Sequence, residues 1–210
     1  MMNSSPISPS RWLWPALAGL FALAALAFGI LWWLAQSQRP PADGDPAVTF
    51  ARDMAAHHRQ AVQMAVLVRD RTQDAELRQF LIDVILTQQA QIGYFEGWLE
   101  TWGLPLSGPE PPMTGMMMHG GVEMAMTPAL MGMASQEDVN ALSTLPLPEA
   151  EIKFLQLMIR HHRGGVSMSE SLLAESNRAE ARRLAESIIN AQTGEIAYMT
   201  ELLQRRGATP

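Results

Sequence analysis

One pattern of thioethers and imidazoles is written twice in this chain. "MAAHHRQAVQM" occupies residues 54–64 and "MIRHHRGGVSM" residues 158–168, both reading M-x-x-H-H-R-x-x-V-x-M, the second copy 104 residues after the first. The chain has five histidines, and four of them, His57, His58, His161 and His162, lie in these stretches. Met54, Met64, Met158 and Met168 bracket them. Thioether plus imidazole is a soft-to-intermediate donor set that favours Cu(I) and, through the imidazoles, tolerates Cu(II). Iron or manganese would call for more oxygen donors, and zinc gains little from methionine. Carboxylate-bridged di-iron bundles use Glu-x-x-His helices. Here the equivalent spacing is Met-x-x-His, and the inward acids are few, Asp53 and Glu195. Copper is therefore the best match. His57 and Met64 stand two turns apart on one helix, about 10 Å at 1.5 Å per residue, so a site needs ligands from both copies or there are two sites.

A second concentration of donors lies between the copies. "MTGMMMHGGVEMAMTPALMGM", residues 113–133, holds eight methionines and the fifth histidine, His119. Exposed methionines are open to oxidation with no gain in packing, and thioethers stay unprotonated at any accessible pH. Met116, Met117, Met118 and His119 are accordingly accessory candidate ligands in a flexible loop that captures Cu(I). The competing reading is a low-complexity linker whose methionines cover the fold.

The histidines have a competing reading too, as neutral core residues satisfied by hydrogen bonds, with methionine as core filler. Gln88 and Gln192 sit on the inward stripes of their helices and are the expected partners, and Asp53 could hold His57 from one turn earlier. On a helical wheel Met54, His57, Ala61 and Met64 share a face with Phe50 and Val68, while His58 lies toward its edge. Arg59 and Arg163 point away, as solvated charges. Gly164 and Gly165 each cost roughly 1 kcal/mol against alanine inside a helix, which implies close helix approach or reserved space.

Apolar residues recur at helical spacing over residues 47–70, 75–101, 149–176 and 178–206, with a short helix from Ser135 to Leu142 capped by Ser135 and Asp138. Sliding residues 50–103 onto 154–207 without a gap gives 16 identities in 54 positions, among them Gln88/Gln192, Tyr94/Tyr198 and Gly103/Gly207. Each copy is thus one helical hairpin, and two hairpins make a four-helix bundle with a pseudo-twofold relation. Residues 12–35 carry no charge and have Trp12, Trp14, Trp32 and Trp33 at their ends, long enough for a membrane span of about 20 residues. The expected order is a tail 1–11, a transmembrane anchor or cleaved signal peptide 12–35, and a linker 36–46. The bundle follows at 47–207, as hairpin 47–104, Met-rich loop 105–148 and hairpin 149–207. Either fate of the first segment places the bundle outside the cytoplasm. Arg11 and Arg39 give only a weak charge bias, so the orientation rests on the signal-like N-terminal position, and the opposite topology, with the bundle inside, is the alternative. A net charge of -6 without basic runs excludes a nucleic-acid surface, and the absence of cysteine excludes disulfides, thiolate zinc sites and iron–sulfur clusters.

The paired M-x-x-H-H motifs, "QTGEI" (Gln192, Glu195, Ile196), the Trp98-Leu99 and Trp102-Gly103 endings and the Met-Gly loop resemble the domain-of-unknown-function 305 family over residues 47–206. That resemblance implies a ferritin-like four-helix bundle, secreted or membrane-anchored in bacteria, with copper binding and tolerance associated with some members. Carried over by position, it implies Met54, His57, His58, Met64, Met158, His161, His162 and Met168 as ligands. Gln91 stands where the second half has Glu195, which confines that acid to one half. Together these features describe a single-span bacterial membrane protein whose extracytoplasmic bundle binds and sequesters copper, alone, as a homo-oligomer or with a delivery partner. No nucleophile–base pair or phosphate loop is visible, so binding rather than catalysis is expected. A ferritin-like metal oxidase and a metal-free interaction module with core histidines are the alternatives.

Overall fold

The computed structural model describes residues 10–37, 39–119 and 121–210, in two compact units that divide between Pro40 and Pro41. The first unit holds α1 (Ser10–Ser37). Within it Leu13–Trp32 has a mean hydropathy of 2.0 and is long and apolar enough to cross a membrane. Leu20, Phe21, Leu23, Phe28 and Trp32 are exposed.

The second unit, Pro41–Pro210, is built on two helical hairpins. α2 (Pro46–Arg69) starts at Asp45, whose carboxylate accepts from Ala47 N, with Pro46 in the first turn, where its missing N–H costs nothing. α3 (Ala75–Thr101) is capped by Asp74, which accepts from the N–H groups of Glu76 and Leu77. The second hairpin is α5 (Leu147–Glu175) and α6 (Ala179–Arg205). Between the hairpins lie a ribbon, β1 (Met116–His119) and β2 (Val122–Ala125), and a short helix, α4 (Gln136–Thr144), capped by Ser135 on Asp138 N. The duplication extends to the helix ends. Gly103 and Gly207 both take positive φ, 70° and 71°, and Leu104 N and Ala208 N reach back to Leu99 O and Leu203 O. These are two copies of one Schellman ending.

α2 packs along α3 and α5 along α6, and α2 and α5 join the hairpins. The result is the all-α four-helix bundle expected, with one addition. Part of the segment read as a flexible loop is an antiparallel ribbon pairing Met117 with Met124 and Met118 with Glu123. On either side of the ribbon, Met113 before it and Met126 and Met131 after it are buried in the core.

That core is in two pieces. One cluster gathers Met64, Val68, Leu81, Val84, Phe154, Met158, Met199 and Leu202, and the other Phe50, Met54, Phe95, Leu99, Met131, Met168, Leu172 and Ile188. On every helix the chain passes from one cluster to the other through a buried polar residue: His57 and His58 on α2, Gln88 on α3, His161 and His162 on α5, Gln192 on α6. The polar residues therefore form a layer across the middle of the bundle.

Close approach explains the glycines. A Cβ at Gly164 would fall on the Met131 carbonyl, one at Gly165 on the Gln192 amide, and one at Gly132 (φ +72) on the Arg160 carbonyl. The space near Gly164 is filled by the chain's own Met-rich segment. We expect Gly164→Ala to lower the unfolding free energy by about 1–3 kcal/mol through overpacking. Gly93→Ala, on α3 with nothing near its Cβ, should raise it by up to about 1 kcal/mol. Urea unfolding of the two variants checks both, and equal midpoints would contradict the close approach.

Candidate metal centre

The helical period brings His57 and His58, and then His161 and His162, to the helix pair that joins the hairpins, and all four side chains have 0% exposure. His58, placed at the edge of the wheel by spacing alone, is as deeply buried as His57. The rings of His57 and His161 stack with centroids 3.6 Å apart and planes at 29°. These two residues are equivalent by the duplication, and equivalent residues meet only on the axis that relates them. The pseudo-twofold of the bundle thus runs between these two rings.

The expected hydrogen-bond partners are replaced by others. Gln88 and Gln192 bond to none of the histidines, and neither side-chain amide has a protein partner. One turn further along the same helices, Gln91 Oε1 lies 2.6 Å from His58 Nε2 and Glu195 Oε2 lies 2.6 Å from His162 Nε2. The 33-residue separation is the same in both halves, so its recurrence is the sequence feature that could have identified the pair. His57 Nε2 is 3.0 Å from Met131 O, a backbone contact with no side-chain signature. Asp53 does not hold His57. Its carboxylate accepts from Met113 N at 2.9 Å and ties the Met-rich segment to α2. Burial raises the Asp53 carboxyl above its ordinary range, against the lowering effects of the Met113 N–H and Arg52. Gln60 fastens the same segment by bonding to both backbone groups of Ala134. Arg59 and Arg163 are exposed, and Arg59 pairs with Glu96.

Burial keeps His57, His58 and His161 neutral. It pushes His57 down to about 4 and, with His57 beside it, His58 to about 3, and holds His161 well below the ordinary value. Nδ1 of all four rings and Nε2 of His161 are buried without a protein hydrogen-bond partner, as are both polar atoms of Gln88 and of Gln192. Each such group costs about 1–3 kcal/mol if left unmet. Together they would rival the about 5–15 kcal/mol that holds a whole domain folded. Buried polar groups are nearly always paired, which makes this layer the place in the bundle best suited to take up a ligand.

The methionines flank it. Met54 and Met168 belong to one apolar cluster, Met64 and Met158 to the other, which gives two thioethers on each side of the histidines. The donor types suit a soft ion, and uncharged rings need release no proton to bind one. Among the described residues, no three His, Asp or Glu side chains are already disposed around one point to hold an ion. The side chains of Met116, Met117, Met118 and His119 lie outside the described residues.

A family profile described as "Domain of unknown function (DUF305)" matches residues 47–203. The chain belongs to the DUF305 family. Among solved structures, it is similar to a DUF305 protein from Streptomyces coelicolor described as a candidate secreted protein, at 40% identity and TM-score 0.71 over 80% of this chain and 98% of that one. It is also similar to a DUF305 fragment from Deinococcus radiodurans, at 37% identity and TM-score 0.67 over 79% and 99%. CopM in its Cu(II)-bound form is 26% identical with TM-score 0.59 over 76% and 96%, and CopM has also been solved in Cu(I)- and silver-bound forms. No curated protein matches the chain.

The depressed histidines should make this protein acid-labile when no metal is bound. In the unfolded chain they take up protons near 6.5, in the fold only near about 4 for His57 and about 3 for His58. Between those values the unfolded state carries more protons, so stability is full above about 6.5 and declines as pH falls through that window, by up to about 1.4 kcal/mol per pH unit for each histidine. Urea midpoints of the metal-free protein between about pH 7.5 and 4.5 should drop steadily; a flat profile would mean the rings are not held neutral.

Proposed function

We propose that this protein binds and sequesters copper on the extracytoplasmic side of a bacterial membrane, held there by a single span at Leu13–Trp32 or released if that segment is cleaved. The observation that carries the reading is the buried layer of four histidines, each with its Nδ1 buried and without a protein partner, flanked by two pairs of methionines. Met54, His57, His58, Met64, Met158, His161, His162 and Met168 are its ligands. Met116, Met117, Met118 and His119 serve as accessory donors. Mixed thioether and imidazole ligation suits Cu(I) and accommodates Cu(II).

Two findings from outside the chain support this reading. CopM, a relative by fold at 26% identity, is described in a Cu(II)-bound form. The description of the Streptomyces coelicolor relative as a candidate secreted protein agrees with a bundle outside the cytoplasm. Copper is cargo here, and the chain's work is to hold it rather than to transform it.

The test is Cu(I) affinity and stoichiometry of the full chain in detergent, by competition with a chromogenic chelator, beside a variant with His57, His58, His161 and His162 all changed to alanine and verified as helical. We expect the wild type to compete and the variant to weaken by roughly a hundredfold or more, about 2.7 kcal/mol. Equal binding by both would move copper to the Met-rich segment and return the histidines to structure. No binding by either would eliminate the copper reading.

A further inference from the structure

Three of the four buried histidines spend the same ring nitrogen on a group outside the layer. His57 Nε2 faces the Met131 carbonyl at 3.0 Å, His58 Nε2 the Gln91 amide oxygen at 2.6 Å, and His162 Nε2 a Glu195 carboxylate oxygen at 2.6 Å. A carbonyl or carboxylate oxygen only accepts, so each Nε2 carries the hydrogen and donates it. In a neutral ring that leaves the lone pair on Nδ1, the atom that in all three rings is buried without a protein partner. Turning a ring over about Cβ–Cγ would put carbon where Nε2 stands and lose the bond. Two of the acceptors, the backbone carbonyl and the carboxylate, do not depend on which way an amide is placed.

The two halves differ at one of these acceptors. Gln91 and Glu195 occupy equivalent positions of the duplication and hold equivalent rings at the same distance, one with a neutral amide and the other with a carboxylate. A carboxylate accepting from one ring nitrogen fixes the tautomer and makes the other nitrogen a better electron-pair donor, and a charge-assisted bond does so more strongly than a neutral one. Glu195 is partly solvated, with 23% of its side chain exposed, while the ring it holds is fully buried. Its charge therefore stays at the rim and its effect reaches inward through the ring.

Building on the copper reading, we infer that the metal is bound through Nδ1, and that Gln91 and Glu195 are positioning residues that grade the two halves, with the His162 side filling first. Binding at Nδ1 breaks none of the three outer hydrogen bonds, whereas binding at Nε2 would break every one. His161, whose ring nitrogens are held by no side chain, is the ring placed to serve either half. The duplicated pattern thus yields a stronger and a weaker position.

The experiment is nitrogen NMR of the full chain in detergent micelles with only histidine labelled, five residues in all, each assigned by single replacement. Without metal, His57, His58 and His162 should show a pyrrole-type Nε2 and a pyridine-type Nδ1. Silver(I), a diamagnetic stand-in for Cu(I), should move the Nδ1 resonances and leave the Nε2 protons in place, with His162 responding before His58. Glu195→Gln, which keeps an acceptor and so keeps the fold, should weaken the first equivalent about tenfold and abolish that order. Gln91→Glu should strengthen the second. Nδ1–H tautomers in the metal-free protein, or silver arriving at Nε2, would overturn the inference and leave the copper reading intact. Simultaneous filling unaffected by either exchange would overturn the grading. Silver that moves no imidazole resonance would overturn the inference and return the histidines to structure, with the chelator competition then deciding whether copper binds at the Met-rich segment.

Discussion

Two imidazole rings stacked 3.6 Å apart and fully buried are held uncharged, and much of this bundle is arranged around that constraint. The stack of His57 on His161 marks the pseudo-twofold axis. Every polar group of the central layer is placed by its relation to it: His58 and His162 one position on, Gln88 and Gln192 on the outer helices. Because the layer is polar, the hydrophobic core on either side separates into two clusters. The same twofold relation sends Met54 and Met168 to one cluster and Met158 and Met64 to the other. The energetic strain of the arrangement is borne by apolar packing above and below, each buried large side chain contributing about 1.5–3 kcal/mol.

The hairpins were legible because their signals are local. Apolar spacing, the Asp74 and Ser135 caps and the glycine endings each occupy a few residues, and the gapless alignment of the two halves carries the architecture with them. α3 follows its expected range of 75–101 to the residue. The hydrogen-bond partners of the histidines were less legible. Gln88 and Gln91 are one turn apart on α3, and a helical wheel places both near the inward face. Which of them reaches His58 depends on the offset between α2 and α3, a tertiary quantity that spacing does not contain. Asp53 was misassigned for a related reason. Its position one turn before His57 is real, but the N–H of Met113, sixty residues away, takes its carboxylate.

The Met-rich segment was legible in composition and not in structure. Low complexity and glycine suggested a mobile linker, yet parts of it enter the core and fasten to both hairpins. Met131 contributes its side chain to the cluster that holds Met54 and Met168, and its carbonyl to His57. Its passage across α5 is possible because residue 164 is glycine, where the first half has Gln60. That residue uses its amide to hold Ala134 of the same segment. Two equivalent positions thus meet one strap in opposite ways, the first gripping it and the second making room. Here the symmetry of the sequence breaks; the Gly164-Gly165 pair announces the close approach but not which segment makes it.

The pairing of His58 with an amide and His162 with a carboxylate has a consequence for why the hairpins share one polypeptide. A dimer of separate, identical hairpins could enclose the same four rings, but any change in one copy would appear in both. Joined by the segment between α3 and α5, the copies can drift apart in single steps. One can acquire an acid and the other keep a neutral group, while the stacked pair on the axis stays matched. Covalent fusion converts a structure obliged to be symmetric into one with two independently adjustable sides.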